Sequence, residues 1–413
     1  MKKIKIIMLL LLATIPLMAQ GGSLYSGFGI GDLRTSYSAR RFAMGEMGIA
    51  LSDVDYLNSM NPAGWNSLRL TRFELSMNYN GSNIQSASTS AFYSKTGLNG
   101  MMLAFPVEHD LGLSVAFGQV PYSQVGYEIK SNVNDPLVGN YNYSDVGNGG
   151  ISKLFIGTSY RLPFDFSIGL SYDYYIGRVT HNLVANFDAS STFRSATFEK
   201  ETSYHGMGFT SGIISSDLSK LFGSTEFKDF RIGIVYTPSV TLSADSVDNS
   251  TTSIGTITTS TGSIKNNLPY KLGFGTTFKY TNNYTFTLDY LYQPFSEYTS
   301  SGKQDINLQN YYKLGLGFEY RNADTRSNAF WDHVMYRTGL SFEQTQFKIK
   351  GTGINQYSIY GGMSLPISFD NTIDLAFQYS KRGTTDNNLL LENIYKFTVT
   401  ISIGDFWFIR PDR

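Results

Sequence analysis

From about residue 70 onward, apolar and aromatic side chains recur at every second position, with Gly, Ser, Thr or charge between them. Phe73, Leu75, Met77 and Tyr79 alternate with Glu74, Ser76 and Asn78. The same rule runs through Phe166–Ile176, Tyr270–Tyr280, Tyr284–Tyr292, Tyr312–Tyr320, Ile373–Tyr379 and Tyr395–Ile403. A period of two places each set on one face of a strand. Several runs reach the ~9–11 residues that a tilted membrane strand needs, against ~5–6 for an average soluble strand. The pattern predicts about fourteen strands, at 70–80, 98–107, 111–129, 150–161, 165–178, 202–214, 228–242, 269–280, 283–293, 309–321, 333–348, 354–365, 371–381 and 393–404. Tyr falls at the ends of many stripes, where an interfacial girdle places it, and small or polar residues such as Gly273, Gly275, Gly315 and Gly317 face a lumen or plug. Short links after the second, fourth, eighth and twelfth strands contrast with long polar ones, of which Ser243–Asn267 is the clearest. That alternation is the one shown by outer-membrane barrels, although the links after the tenth and eleventh strands break it.

Composition narrows the choice. Among 413 residues, 33 Lys and Arg balance 33 Asp and Glu, and only 16% are charged, against ~25% in an average soluble domain. A neutral chain without a basic block is no nucleic-acid binder. With no Cys there is no disulfide, thiolate or iron–sulfur chemistry. Lys2, Lys3 and Lys5 precede the apolar stretch Ile6–Ala19, so 1–19 reads as a cleaved signal peptide. No later run is long enough for a helical span, and the mean hydropathy of −0.17 suits a membrane β-barrel. Three units are expected: signal peptide 1–19, a non-barrel segment 20–69, and an all-β transmembrane antiparallel barrel 70–413. Past the last strand, Phe406-Trp407-Phe408 makes a partial match to the aromatic C-terminal signal that barrel-assembly machinery reads.

Residues 20–69 break the alternation. A fourteen-strand barrel is wider than one filled by its own side chains, so this segment is the natural N-terminal hatch, or plug. The order Ala43-x-Gly45-x-x-Gly48-x-Ala50-x-x-Asp53, with Phe42, Met44 and Met47 between, is followed by Asn61-Pro62-Ala63-Gly64. This order resembles the hatch of the long-chain fatty acid and aromatic-hydrocarbon outer-membrane transporter family (FadL/toluene-transporter type), and the likeness extends over the whole chain. The resemblance implies a plugged barrel in the bacterial outer membrane. It also implies passive uptake of hydrophobic or amphipathic small molecules such as long-chain fatty acids, and lateral exit through a kink in the third strand. The tetrad reads either as a pin between plug and wall or as an ordinary turn. In the third strand Gly118 and Pro121 interrupt the stripe Leu111–Phe117, which reads either as a lateral gap or as a bulge.

None of the four His sits in a hydrolase or metal motif, so no catalytic residue, metal or cofactor is expected. Asp173, Glu319, Glu343, Asp374 and Gln378 occupy interleaved positions and should pair with Arg or Lys in the lumen. The expected partners are outer-membrane lipid and a hydrophobic ligand. The alternative is a non-transporting barrel of the same fold that partners an envelope protein in secretion or surface assembly, and a sealed plug with a small lumen would favour it.

Overall fold

The computed structural model describes residues 22–406, apart from 137–138, 188–192, 224–225, 324–328 and 369. Residues 1–21, which include the expected signal peptide, and residues 407–413, including Trp407 and Phe408, lie outside the described residues.

Alternation of outward apolar and inward polar residues builds fourteen wall strands. They are β1 (Thr71–Gln85), β2 (Ser90–Glu108), β3 (Leu113–Asp135), β4 (Gly139–Arg161), β5 (Ser167–Phe187) and β6 (Ala196–Ile214). Next come β7 (Phe227–Thr237 continued by Val240–Thr252), β8 (Gly255–Leu268 continued by Lys271–Tyr280), β9 (Tyr284–Gln293) and β10 (Tyr311–Tyr320). The wall ends with β11 (Met335–Ile349), β12 (Thr352–Pro366), β13 (Thr372–Gly383) and β14 (Leu391–Asp405). Each pairs antiparallel with its neighbours, and β14 pairs with β1 from Leu391↔Gln85 to Asp405↔Thr71, so the sheet closes on itself. Closure leaves the membrane-spanning wall without an edge except where β2 and β3 part beyond Met101↔Gln119.

The outward face carries two aromatic belts. At one end Tyr280, Tyr284, Tyr320 and Tyr336 follow one another with ring centroids 5.4–6.5 Å apart. At the other, Tyr290, Tyr312, Phe342 and Tyr357 do the same at 5.1–6.4 Å. Between them Leu288, Leu316, Leu340 and Ile359 are open to lipid. This is the girdled band of a membrane barrel.

One expectation needs correction. The polar links after the first, third, fifth and seventh strands are not long loops. β3 and β4 each run 23 residues and turn between Asp135 and Gly139. Ser243–Asn267 forms the outer arms of β7 and β8, paired from Thr252↔Gly255 to Val240↔Leu268. Pro238 and Pro269 break these strands where they leave the membrane band. Above it no lipid selects an apolar face, so Thr- and Ser-rich strands continue the ladder without the stripe that marks them below.

Residues 22–70 contribute no wall strand. They hold a short helix Ala39–Ala43, the 3-10 turns Leu24–Gly27 and Pro62–Ser67, and a two-residue strand Asp32–Leu33. Most of this segment is buried, and it packs against inward side chains of the wall.

Candidate functional site

The N-terminal segment lies almost in backbone contact with the wall because the wall gives way to it. A Cβ added at Gly362, Gly339, Gly317, Gly315, Gly273 or Gly233 would come within 3.0 Å of Ala43, Gly45, Met44, Met47, Ile49 and Ala50 in turn. The interleaved small residues of β7, β8 and β10–β12 are thus a belt on which residues 43–50 rest. The spacing of the N-terminal motif has the same cause. Gly45 has φ 79° and faces the carbonyls of Leu316 and Leu340, so a side chain there would meet both strain and backbone. Gly48, φ 141°, lies beneath the Arg41 guanidinium. Phe42 stacks edge-on against Tyr360 at 5.6 Å, and Met44 and Met47 are fully buried.

Buried charges tie the same stretch to the wall. Arg40 holds Glu319 of β10 in a two-pronged pair at 2.9 and 3.0 Å and also reaches Asp53 at 2.6 Å. Arg337 of β11 approaches Glu319 from the other side at 2.6 Å. Lys313 pairs with Glu46 and, at 3.4 Å, with Glu343. Burial raises the Glu46 carboxyl, but Lys313 and Lys396 outweigh it and bring it down to about 2. Burial likewise opposes the charge on Asp53, yet Arg40 and Arg321 hold it well below the usual carboxylate range. Arg382 clamps Asp32 at 2.8 Å and Glu392 at 2.6 Å. Two-pronged arginine–carboxylate pairs fix geometry as well as charge, and removing one buried partner typically destabilises by ~3–5 kcal/mol. Of the interleaved residues singled out in the sequence, Asp173 meets Lys153, Asp374 meets Arg337 at 3.9 Å and Ser364, and Gln378 bonds Ser380 and Ser358. Sequence reasoning missed Arg40 and Arg41, whose only signal was charge in an otherwise apolar stretch. Arg41 is buried with no hydrogen-bond partner among the described residues, and burial followed by Arg40 lowers it to about 10.

The Asn-Pro-Ala-Gly tetrad meets the opposite wall through neutral groups. The Asn61 side chain accepts from Ala63 N and donates to Ile49 O at 2.9 Å, and it reaches the carbonyls of Ile213 on β6 and Ile234 on β7 at 3.4 Å. Pro62 opens the following turn, and Pro62 and Ala63 press on Gly169 of β5. Gly64 leaves room for Asn58 and Leu51 O, and Asn58 in turn accepts Asn61 N. Trp65 stacks on Phe155 and donates to Asn58 O at 2.6 Å.

In the third strand the two flanking ladders differ. Gly118 is paired on both sides, with Met102 of β2 and Phe155 of β4. The ladder with β2 stops at Gln119↔Met101, while the one with β4 continues to Asp135↔Gly139, with an irregularity between Pro121 and Ser123. Beyond that point the N-terminal segment takes the place of β2. Asp32 and Leu33 pair with Gln124 and Ser123, and Arg34 N donates to Tyr122 O. The opening between the strands, about 180 Å³, is polar and bounded by Asn78, Asn99, Ser123 and Gln124.

Two interior cavities lie between segment and wall. One of about 50 Å³ is mixed, touching Leu33, Val120, Val235 and Leu291 as well as Arg34, Lys153 and Lys271. The other, about 70 Å³, is ringed by Asp32, Glu46, Lys95, Glu343, Arg382 and Lys396. A dry cavity that holds benzene is ~150 Å³, and pockets for drug-sized apolar ligands run ~300–1,000 Å³.

A closed fourteen-strand wall with girdles and a filled interior defines a plugged β-barrel of the bacterial outer membrane. The chain belongs to the BamG family, whose sequence pattern matches residues 1–412. No curated protein sequence matches it. Its fold is shared with the Ralstonia pickettii toluene transporter TbuX (TM-score 0.62, 15% identity, 91% of this chain and 99% of that one). It is also shared with the Pseudomonas putida toluene transporter TodX (0.60, 14%, 91% and 100%) and a Pseudomonas aeruginosa FadL homologue (0.56, 12%, 94% and 100%). The fold suggested by the sequence resemblance is therefore the fold present, while the matching family carries a different name.

Proposed function

We propose that this protein is a plugged, non-conducting barrel that acts as a membrane-embedded partner of another envelope protein in secretion or surface assembly. The observation that supports it is the interior. Next to a segment tied down by buried ion pairs lie cavities of only about 50 and 70 Å³, the larger of them ringed by charge. An apolar molecule on that path would have to part buried charged groups, and neither of these two cavities is large enough to hold it. The test pairs two measurements on one strain. Deletion of the gene should leave uptake of labelled fatty acids and toluene unchanged, and the tagged protein should copurify with one envelope protein at fixed stoichiometry. Normal copurification alongside lost uptake would refute the non-conducting part.

A second reading is passive uptake of hydrophobic compounds, long-chain fatty acids among them, with residues 42–53 and 61–64 as a movable hatch. The separation of β2 from β3 beyond Gln119 favours it, since Gly118 and Pro121 stand beside that opening. Lateral exit there requires Asp32–Leu33 to leave β3. A cross-link between cysteines placed at Leu33 and Ser123 in this Cys-free chain would abolish uptake on this reading and leave the scaffold role intact.

A further inference from the structure

The upper wall is not closed. β3–β8 rise above the membrane band as a sheet, whereas β9 and β10 stop after 10 residues each. The outer arm of β8 pairs with β7 on one side, from Gly255↔Thr252 to Leu268↔Val240. On its other side only the foot is covered. Thr299 and Ser300 pair with Asn267 and Asn266, and Ser301 N donates to Lys265 O at 3.0 Å. From Gly255 to Ile264 that side has no partner among the described residues.

Long bare edges are normally blunted by charge or Pro. This one, Gly255-Thr-Ile-Thr-Thr-Ser-Thr-Gly-Ser-Ile264, has neither. Its single irregularity falls between Thr261 and Ile264, near the covered foot. We propose that Gly255–Ile264 is a strand-addition site, on which an extended, uncharged segment of a neighbouring outer-membrane protein pairs antiparallel to β8.

Three features specify that occupant. The short strand Thr299–Ser300 has begun the same antiparallel ladder, so an incoming segment continues an interface that exists. β8 descends toward the membrane, so its antiparallel partner climbs away from it on the side of Thr299–Ser300, the direction taken by a segment rising from a barrel embedded beside β9. A second copy standing the same way up would offer its own β8 in parallel, so a β8-to-β8 contact between copies does not continue this antiparallel ladder. The side-chain chemistry follows from the row Leu183, Phe198, Ser250, Ile257, whose members face one another across β5 to β8. Ile257 is 72% exposed at the end of it, so an apolar or β-branched residue on the incoming strand extends the row.

This inference rests on the scaffold reading and names its docking edge. The experiment uses the full chain in its own outer membrane. A photo-crosslinking benzoylphenylalanine replaces Thr258 or, as a control on the covered strand, Ser246. The expected result is one product at Thr258 only, mapped by mass spectrometry to an extended segment of a single envelope protein. Thr256→Pro combined with Ser260→Lys should lower its yield by about tenfold or more, with the heat-modifiable gel shift of the barrel retained. Products with lipid only or with a second copy would overturn the proposal, and so would a yield indifferent to the edge substitutions. A partner that still copurifies from the edge variant removes this edge and leaves the scaffold reading standing. Loss of all copurification from the unaltered protein removes the scaffold reading itself.

Discussion

Strands β9 and β10 are 10 residues long and end at the membrane surface, while β3 and β4 are 23 and continue far beyond it. The two sides also hold the N-terminal segment differently. On the short side, Glu319 and Lys313 bind it through buried charge, with Arg337 backing Glu319 from the wall. On the tall side, Asn61, Trp65 and Asn66 meet β4–β7 through neutral hydrogen bonds and ring stacking. The difference teaches that one side of a single continuous sheet can serve as anchor while the other serves as display. An anchor benefits from interactions that are large and intolerant of change. A display surface in water carries exposed pairs that contribute little.

The comparison can be broken most directly at Glu319. Glu319→Gln removes the carboxylate that Arg40 and Arg337 share, leaving them Asp53 and Asp374, and should destabilise the protein by about 3 kcal/mol. The same exchange at Glu201, whose partner Arg178 is largely exposed, should fall within about 1 kcal/mol. Denaturant titration of the heat-modifiable band measures both, and equal effects would erase the distinction. Acid gives the next largest effect. The Glu46 carboxyl is held down at about 2 against a usual 4.5, so its contribution is complete above pH 4.5 and disappears as the pH falls through about 2. Proteolysis of residues 22–70 should be the same at pH 5 and pH 7 and should rise at pH 2, tracked by mass spectrometry.

The glycine belt gives a smaller effect with a built-in control. Gly339→Leu intrudes on Gly45 and should destabilise by about 1–3 kcal/mol while exposing the segment to labelling. Gly361, which has no neighbour to meet, should accept Ala with a change below about 0.5 kcal/mol. The smallest expected change carries the opposite sign. Arg41→Met removes a buried cation without a hydrogen-bond partner and should be neutral or raise the melting temperature, whereas Arg40→Met should lower it.

The membrane band was legible in the sequence because lipid imposes a rule on every second residue. Tyr284–Tyr292 and Tyr312–Tyr320 could be read from alternation alone, and β9 and β10 match them within a residue or two. Above the band the rule lapses, and Gly255–Leu268 looked like a loop because Thr and Ser carry no periodic signal. Glu319 and Asp374 could be placed inside by parity. Their partners could not be named, since Arg40 lies 279 residues from Glu319 and only closure brings them together. Gly315 and Gly317 were visible as small inward positions, but that they support Met47 and Met44 depends on the course of the N-terminal chain.

The seam between β14 and β1 has a consequence for how the molecule is made. It joins the last wall strand to the first over fifteen residue pairs, from Leu391↔Gln85 to Asp405↔Thr71. Near that seam Glu392 bonds Ser23, Thr400 accepts Ala39 N, and Arg382 holds Asp32. The groups that receive Ser23, Asp32 and Ala39 are therefore synthesised last. The strand pair that closes the wall and the contacts that hold the segment thus form at the same place. The barrier to leaving the folded state is then the opening of a fifteen-pair zipper together with the buried charges behind it. A barrier of that kind is what gives a protein kinetic stability, its persistence governed by the rate of opening.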